Sequence, residues 1–552
     1  MPTDFLKKGL NILLKRQTNI LSAAFVIMVT VILSQVLGLV RQRLLASIFG
    51  ASDTLGVYLA SSRLPDFLFQ LIIAGALSSA FIPIFSGYLA KNKRQEAYKL
   101  GSSLLVFCLF GFSILALILF IFAGFFSKLM APGFSSNQIA LMASLTRIII
   151  AGELLFIIGS FLSAVLQSYS RFFVSGIAAA LYNLGIIIGI VFLSPIVGIY
   201  SAAYGVVLGA LIFVLTQLPS IRNVGFSFRP SFSIKNSGVL QVFHLMWPRT
   251  LGIAIFQLGT VITVTLVSFL PNPGRSYVIF DYAQILSFAP IVLFGQSIAQ
   301  AAFPVLSKEK DNLLEFKQTF ITSFNQILYL MLPISALFLV LRIPIVRLVF
   351  GAAAFDWQAT VLTGRTLAFF SISLFAQGLI YLVSRGFYSL HDAKTPLYVG
   401  VVSTAVMIGI GYLSVFVYHL GVGGIAASYS IGNILNFVLL FIFLDRKTKG
   451  FEKFPLAISV SKILIATIFT GFALYIPIKL LDQLVFDTTK TINLIILTGI
   501  ASLAGVSLYL FLTWLFSVEE AKTFLLMFKR VGNWKEILGG SEEVIDGSRL
   551  NP

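Results

Sequence analysis

Charged residues are rare inside the long apolar stretches of this 552-residue chain, so those present need a chemical explanation. A charge in a membrane is costly, and by default it marks a transport pathway or an ion pair. Arg41 lies at the end of the first stretch, and Arg63 and Arg249 lie within later ones. Of the 21 acidic residues, three lie within such stretches: Asp66, Glu153 and Asp281.

The three arginines suit a negatively charged ligand. A guanidinium presents a planar fork of donors to phosphate oxygens and keeps its charge in a low dielectric. Arg41 and Arg63 flank the same non-cytoplasmic connection, and Arg249 follows a Pro within a span, where it could face a central cavity. We therefore predict that Arg41, Arg63 and Arg249 bind an anionic substrate.

The acids leave alternatives open. Arg63 and Asp66 are three residues apart on one helix and could simply pair with each other. Arg147 and Glu153 are six residues apart, which is a poor helical spacing, so Glu153 could instead face the cavity alone. Asp66, Glu153 and Asp281 are therefore candidates for an ion site or a gate.

The composition identifies the class of protein that must position these residues. Hydrophobic residues make up 58% of the chain and charged residues 11%, with a mean hydropathy of +0.96. Because soluble proteins are about 25% charged, this composition excludes a soluble enzyme and a disordered chain. One Cys (Cys108) and three scattered His leave neither a disulfide framework nor a metal centre, and no phosphate-binding loop occurs, so we expect no cofactor.

The net charge of +18 is explained by the placement of a membrane protein's loops rather than by nucleic-acid binding. The Lys and Arg residues lie in short loops between apolar runs, with 25 on one side of the membrane and seven on the other. Cytoplasmic loops carry such an excess, so both termini are predicted to be cytoplasmic. Fourteen spans are predicted, starting near residues 21, 54, 100, 138, 172, 200, 239, 277, 317, 361, 397, 424, 456 and 493.

A weak internal similarity suggests two lobes. Residues 80–86 resemble 302–307, and residues 167–172 resemble 387–392, each pair six spans apart. The chain is therefore predicted to be an all-α polytopic membrane protein with two six-helix lobes around a central cavity and two C-terminal helices. The predicted units are a cytoplasmic segment (1–20), an N-lobe (21–220), a cytoplasmic linker (221–238), a C-lobe (239–444), two further helices (456–516) and a cytoplasmic tail (517–552).

Short stretches spread over residues 20 to 515 resemble one known family. They are Val36–Arg41 with Ile48–Ala51, Leu64–Asp66, Gly75–Ala76, Ala80–Pro83, Met130–Phe134, Pro248–Arg249, Tyr282–Ala283, and Gly386–Ser389 with Asp392, Lys394, Thr395 and Pro396. In order and spacing they resemble the MurJ (MviN) family of lipid II flippases. That family belongs to the multidrug/oligosaccharidyl-lipid/polysaccharide exporter (MOP) superfamily.

The resemblance implies a transporter and not an enzyme. It would move an undecaprenyl-pyrophosphate-linked disaccharide-peptide outward across the bacterial plasma (inner) membrane by alternating access, for peptidoglycan synthesis and cell shape. On this hypothesis Arg41, Arg249 and Arg63 hold the pyrophosphate, and Gln35, Asn183 and Gln284 bind sugar or peptide. The implied partners are the lipid-linked glycan, the bilayer and other envelope-synthesis membrane proteins, with no nucleic acid and a monomeric chain.

The chain departs from the family at charged positions. Family charges of both signs are missing at Gln35, Gln42, Gly56, Phe69, Gln70, Ala74, Gln284 and Ile285, which we interpret as the loss of a polar gate network. Three alternatives stay open: a flippase for another polyprenyl-pyrophosphate-linked glycan, a cation-coupled drug exporter, or a scaffold without transport.

Overall fold

The computed structural model describes residues 20–74, 81–229, 237–484, 491–522 and 524. At residues 20–25, 74, 237, 245, 247–249, 251–253, 255–256, 481–484 and 491 it describes the backbone alone. The described residues are helical and contain no strand. In lipid a helix satisfies its backbone hydrogen bonds internally, which explains why so apolar a chain folds this way.

Nine described helices lie in the region predicted as the N-lobe: α1 (Ile20–Phe49), α2 (Asp53–Ser61), α3 (Arg63–Phe69), α4 (Ile82–Ala90), α5 (Arg94–Ile121), α6 (Ala123–Met130), α7 (Ser136–Ser168), α8 (Phe172–Val197) and α9 (Tyr200–Asn223). A π-helical segment, Gln70–Ala74, follows α3 directly.

A second set of nine described helices lies in the region predicted as the C-lobe: α10 (Ser237–Ser268), α11 (Pro273–Pro290), α12 (Ser297–Lys308), α13 (Leu313–Val340), α14 (Arg342–Phe350), α15 (Trp357–Ser371), α16 (Leu374–Ser389), α17 (Lys394–Phe416) and α18 (Gly421–Lys447). A π-helical segment, Ile291–Gln296, joins α11 to α12 immediately after Pro290. Helices α19 (Lys453–Leu484) and α20 (Thr491–Leu515) complete the described fold.

With α11, the π-helical segment Ile291–Gln296 and α12 counted as one, eleven described helical segments are long and apolar enough to cross a membrane. The count reaches twelve with the pair α15–α16, which is bent by 42°. The predicted spans that start near residues 54 and 239 are not among these helices. The span predicted near residue 54 includes residues 75–80, which lie outside the described part. The polytopic all-α fold is confirmed, whereas the number fourteen stays a prediction. Most of the predicted cytoplasmic tail (517–552) also lies outside the described residues.

The two short links that resemble each other in sequence have the same backbone conformation. Ser170 between α7 and α8 and His391 between α16 and α17 both have left-handed backbone, at φ 58° and φ 57°. In each link the next amide bonds to a carbonyl five residues earlier, at 2.9 Å in both cases (Arg171 to Leu166, Asp392 to Phe387). This is the Schellman ending of a helix, so the sequence similarity corresponds to a shared turn.

Asp392 ties three C-lobe helices together at this link. Its carboxylate accepts the backbone N–H of Lys394 at 3.1 Å and of Thr395 at 3.0 Å, and it pairs with Lys447 Nζ at 2.5 Å. Partial burial raises the pKa of Asp392, but these partners outweigh it and lower the pKa to about 2.

The packing of the apolar core differs between the two ends of the molecule. We call "outer end" the helix ends joined by residues 50–52, 131–135, 269–272, 351–356 and 417–420, which the charge distribution predicts to face away from the cytoplasm. One hydrophobic cluster there combines residues of both lobes, including Tyr58, Met130, Phe280 and Phe350. The other large clusters are separate: one holds the N-lobe with the start of α10, the other the C-lobe with α19 and α20. The lobes therefore share a core at the outer end.

Candidate functional site

An ion pair joins the lobes beneath the outer end. Arg63, at the start of α3, donates from Nη2 to Asp281 Oδ1 on α11 and from Nε to the Tyr277 hydroxyl at 2.7 Å. The Asp281 side chain is 3% exposed and that of Arg63 is 26% exposed. Arg63 therefore pairs with Asp281, 218 positions away, and the alternative pairing with Asp66 on its own helix is wrong.

The backbones of the two lobes touch where α2 meets α11. A Cβ added at Gly56 would lie under 3.0 Å from the carbonyl and Cα of Gly274, a separation that real Cβ atoms essentially never show. No larger side chain fits there without displacing the backbone. The missing family charge at Gly56 is therefore accompanied by a direct backbone contact between lobes.

Helix α1 contributes further contacts to the same closure. Arg43 donates from Nη1 to the carbonyls of Leu348 and Val349 at the end of α14. The Ala354 amide donates to the Ser47 carbonyl at 3.1 Å. Arg43 was not singled out from the sequence, because its partners are backbone carbonyls that no local pattern reveals.

Arg275, at the start of α11, forms an ion-pair network on the outer surface. Its backbone N–H donates to Asp53 Oδ1 at 2.9 Å, and Nη2 donates to both carboxylate oxygens of Asp356 at 3.0 and 2.9 Å. Burial raises the pKa of Asp356, but the Ala359 amide and Arg275 outweigh it, so the pKa lies below its usual value. This network spans both lobes, and no local pattern in the sequence indicates it.

A cavity of about 260 Å³ lies between α1 and α8 in the N-lobe. It is lined by Thr30, Val31, Ser34, Gln35, Gly38, Arg41, Gly176, Ala179 and Asn183. Arg41 donates from Nη1 to Asn183 Oδ1 at 3.0 Å, while Asn183 Nδ2 lies 3.3 Å from both Ser34 oxygens. The Ser34 contacts orient the Asn183 amide so that its oxygen faces Arg41. Three residues predicted to bind substrate, Gln35, Arg41 and Asn183, therefore line one cavity.

The other predicted binding residues lie elsewhere. Gln284 is on α11 in the C-lobe, where its side chain interacts with Tyr429 of α18. Arg249 lies within α10, but its side chain is outside the described residues, so the expectation that it faces a central cavity stays a prediction. Arg63 is engaged by Asp281 in this conformation.

The acids of the N-lobe differ in their partners. Asp66 lies within electrostatic range of Arg63 and Arg41. Glu153, on α7, is 5% exposed, and its Oε2 has no hydrogen-bond partner among the described residues. Arg147 does not pair with it, because its Nε donates to the Phe120 carbonyl at 3.0 Å.

The residues of the site are arranged to bind a ligand. In the described part of the chain no group of three or more His, Cys, Asp or Glu residues could hold a metal ion. The arrangement instead combines a guanidinium beside a cavity with an ion pair and backbone contacts across the lobes. Such a site can bind an anion on one side while the other side is closed.

The chain is similar to proteins of one known family along most of its length. The family model described as "Lipid II flippase MurJ" matches residues 45–504. A "Probable lipid II flippase MurJ" of Thermotoga maritima is 28% identical over 495 residues, covering 89% of this chain and 96% of the relative. The "Lipid II flippase MurJ" of Burkholderia cenocepacia is 27% identical over 439 residues, covering 78% of this chain and 84% of the relative.

Solved structures show the same fold. The chain is similar to "Lipid II flippase MurJ, inward closed conformation", with a TM-score of 0.72 and 24% identity, covering 89% of this chain and 98% of the other. It is also similar to an inward-facing multidrug resistance MATE family transporter of the MOP superfamily, with a TM-score of 0.63 and 13% identity, over 75% of this chain and 94% of the other.

Proposed function

Because the family match covers most of its length, the chain belongs to the MurJ family of lipid II flippases, and we propose how its residues perform that transport. It is a multi-pass membrane transporter and not an enzyme. Lipid II moves from the cytoplasmic to the outer leaflet by alternating access, which supplies peptidoglycan synthesis. The closed outer end, with the ion pair Arg63–Asp281, is one of the two states that this mechanism needs.

The observation that carries the site proposal is Arg41 beside the N-lobe cavity. A guanidinium has five N–H donors, and Asn183 accepts one from Arg41, so others can bind phosphate oxygens. Arg41 binds the pyrophosphate of lipid II, and Asn183 fixes the direction of the guanidinium. Gln35, on the same wall, hydrogen-bonds the sugar or peptide.

The remaining predicted residues act from the opposite side or in another state. Arg249 and Gln284 contact the head group from the C-lobe. Arg63 binds the anion only when Asp281 releases it, so Arg63 and Asp281 form a gate. The large apolar side chains exposed on α1 support a lipid-facing helix beside the cavity, where the polyprenyl tail can stay in the bilayer: Ile27, Met28, Val29, Val31, Ile32 and Leu33.

The orientation and assembly belong to the same proposal. The excess of Lys and Arg on one side supports cytoplasmic termini in the bacterial plasma membrane. The chain acts as a monomer, since each chain contributes both lobes of the transport path. Its protein partners are other membrane proteins of envelope synthesis.

The test measures lipid II exposed on the surface of bacteria whose own flippase has been switched off. We expect this chain to restore exposure and Arg41→Ala to reduce it at least about tenfold, since lost charge-assisted hydrogen bonds cost about 1.5–3 kcal/mol. Arg147→Ala, which removes an Arg bonded to a backbone carbonyl, is the matched control. Both variants must reach the membrane in equal, folded amounts.

The outcomes separate the alternatives. Full exposure with Arg41→Ala would refute the site assignment but not the function. No restoration by the folded parent chain would favour another polyprenyl-linked glycan or a scaffold, and efflux of cationic dyes would identify a drug exporter. Arg41 beside the cavity disfavours a cationic cargo, because like charges repel.

A further inference from the structure

Glu153 is a buried carboxylate that the anion site does not use. It lies in the middle of α7, is 5% exposed, and its Oε2 has no hydrogen-bond partner among the described residues. Nor does it form an ion pair with any described Lys or Arg. Leaving such a group ionised and unpaired in an apolar interior is very costly, so it must be neutralised or compensated.

Part of the surroundings of Glu153 is apolar and tightly packed. A Cβ added at the preceding Gly152 would meet Val206 of α9 at 2.9 Å. Phe156, one turn further along, packs against Tyr182 at 4.7 Å and Phe213 at 4.9 Å between ring centroids. This packing leaves little room for water around the carboxylate.

The titratable groups that face Glu153 add negative charge and no dedicated cation. They are Asp66 of α3 and Tyr182 of α8. Arg41 of α1 and Tyr58 of α2 interact electrostatically with Tyr182 in turn. Arg63 and Arg41 lie within electrostatic range of both Asp66 and Asp281, and Arg63 pairs directly with Asp281. With Glu153, three carboxylates therefore share two guanidiniums, and the cluster has one negative charge too many when all three are ionised.

We propose that Glu153 binds a proton while the outer end is closed and releases it in the opposite state, so that transport is coupled to a proton. The inference rests on the alternating-access part of the proposed function. Only the Oε2–H bond forms and breaks, and the proton comes from water and returns to water. Low pH should then favour the closed outer end, because that state binds the additional proton.

A proton fits this position better than a metal cation. A metal ion gives up its hydration water only for several oxygen ligands. The described groups that bring side-chain oxygens near Glu153 are Asp66 and Tyr182, and no third acid, His or Cys of the described residues joins them to form a metal site. A proton needs only the carboxylate itself.

The test follows the outer end by pulsed electron paramagnetic resonance, without any lipid substrate. Spin labels at Asn137→Cys and His419→Cys, both on exposed outer positions, report the separation of the lobes in a Cys108→Ser background. Between about pH 8.5 and about pH 5.5 we expect the closed population to rise about tenfold relative to the open one, as for one unit of pKa difference between states. Glu153→Gln, which mimics the protonated carboxyl, should remove this response.

Controls identify the group responsible. Glu96→Gln removes an exposed acid of α5 and should leave the pH response intact. Infrared difference spectra should show a protonated-carboxyl band at low pH in the parent chain that Glu153→Gln lacks. Because this assay uses no lipid substrate, its result does not depend on whether the chain transports lipid II.

Three outcomes in which the label distance responds would overturn the proposal. They are a pH response that survives Glu153→Gln, a response that Asp66→Asn abolishes while Glu153→Gln keeps it, and a distance shift that follows sodium in place of choline at constant pH. An absent pH response in the parent chain would also overturn it.

Discussion

Removing either partner of the ion pair between Arg63 and Asp281 should destabilise the closed outer end, but we expect the two removals to differ in size. Asp281 is 3% exposed, whereas Arg63 is 26% exposed and can reach water. Arg63→Ala leaves a buried carboxylate with little compensation, for which removal of one partner costs about 3–5 kcal/mol. Asp281→Ala leaves a guanidinium that can be rehydrated, so we expect a cost of about 1–2 kcal/mol.

The expected populations follow from these energies. Arg63→Ala should shift the closed-to-open ratio by at least about 100-fold, and Asp281→Ala by about tenfold. The double variant should be more closed than Arg63→Ala alone, because it also removes the unpaired buried carboxylate. This rescue separates a desolvation effect from simple loss of a contact.

The assay is the same spin-label distance across the outer end at constant pH, read as the fraction of each distance population. Tyr277→Phe, which removes the hydroxyl 2.7 Å from Arg63 Nε, should have a smaller effect than either change. A double variant as open as Arg63→Ala, or a larger effect of Asp281→Ala, would refute the reasoning from burial.

Two further changes test the packing and the inner link. Gly56→Ala should destabilise the fully closed state by about 1–3 kcal/mol, because the added Cβ meets the Gly274 backbone. Gly87→Ala, with open space around it, should leave closure unchanged. Equal label distances in the two variants would contradict this. Near neutral pH, Asp392→Asn should lower the free energy of unfolding by about 1–2 kcal/mol, which is measured as a lower melting temperature. The pKa of Asp392 in the folded chain is depressed to about 2, so its contribution to stability is present above the usual pKa of about 4 and is lost as the pH falls through about 2. The melting temperatures of parent and variant should therefore converge in acid. Lys447→Met should reproduce part of the loss of stability.

The candidate site was predictable from the sequence only in part. Arg41, Gln35 and Asn183 could be proposed, and the structure brings them to one cavity although Asn183 lies 142 positions from Arg41. The partner of Arg63 could not be predicted, because spacing along one helix favours Asp66 and says nothing about a helix in the other lobe. The Arg275 network was missed because a charge at a helix end is usually solvated.

The sequence by itself determined the class of protein: long apolar helices with Lys and Arg concentrated on one side. The reason is that the bilayer acts on each span separately, so length, hydropathy and flanking charge can be read locally. Which charges meet, where the two lobes close and that Glu153 is buried without an ion-pair partner among the described residues all depend on the tertiary structure. Those features depend on the docking of Gly56 against Gly274 and of Arg63 against Asp281. Contacts between residues more than 200 positions apart depend on the geometry of whole lobes, which no local pattern of residues records.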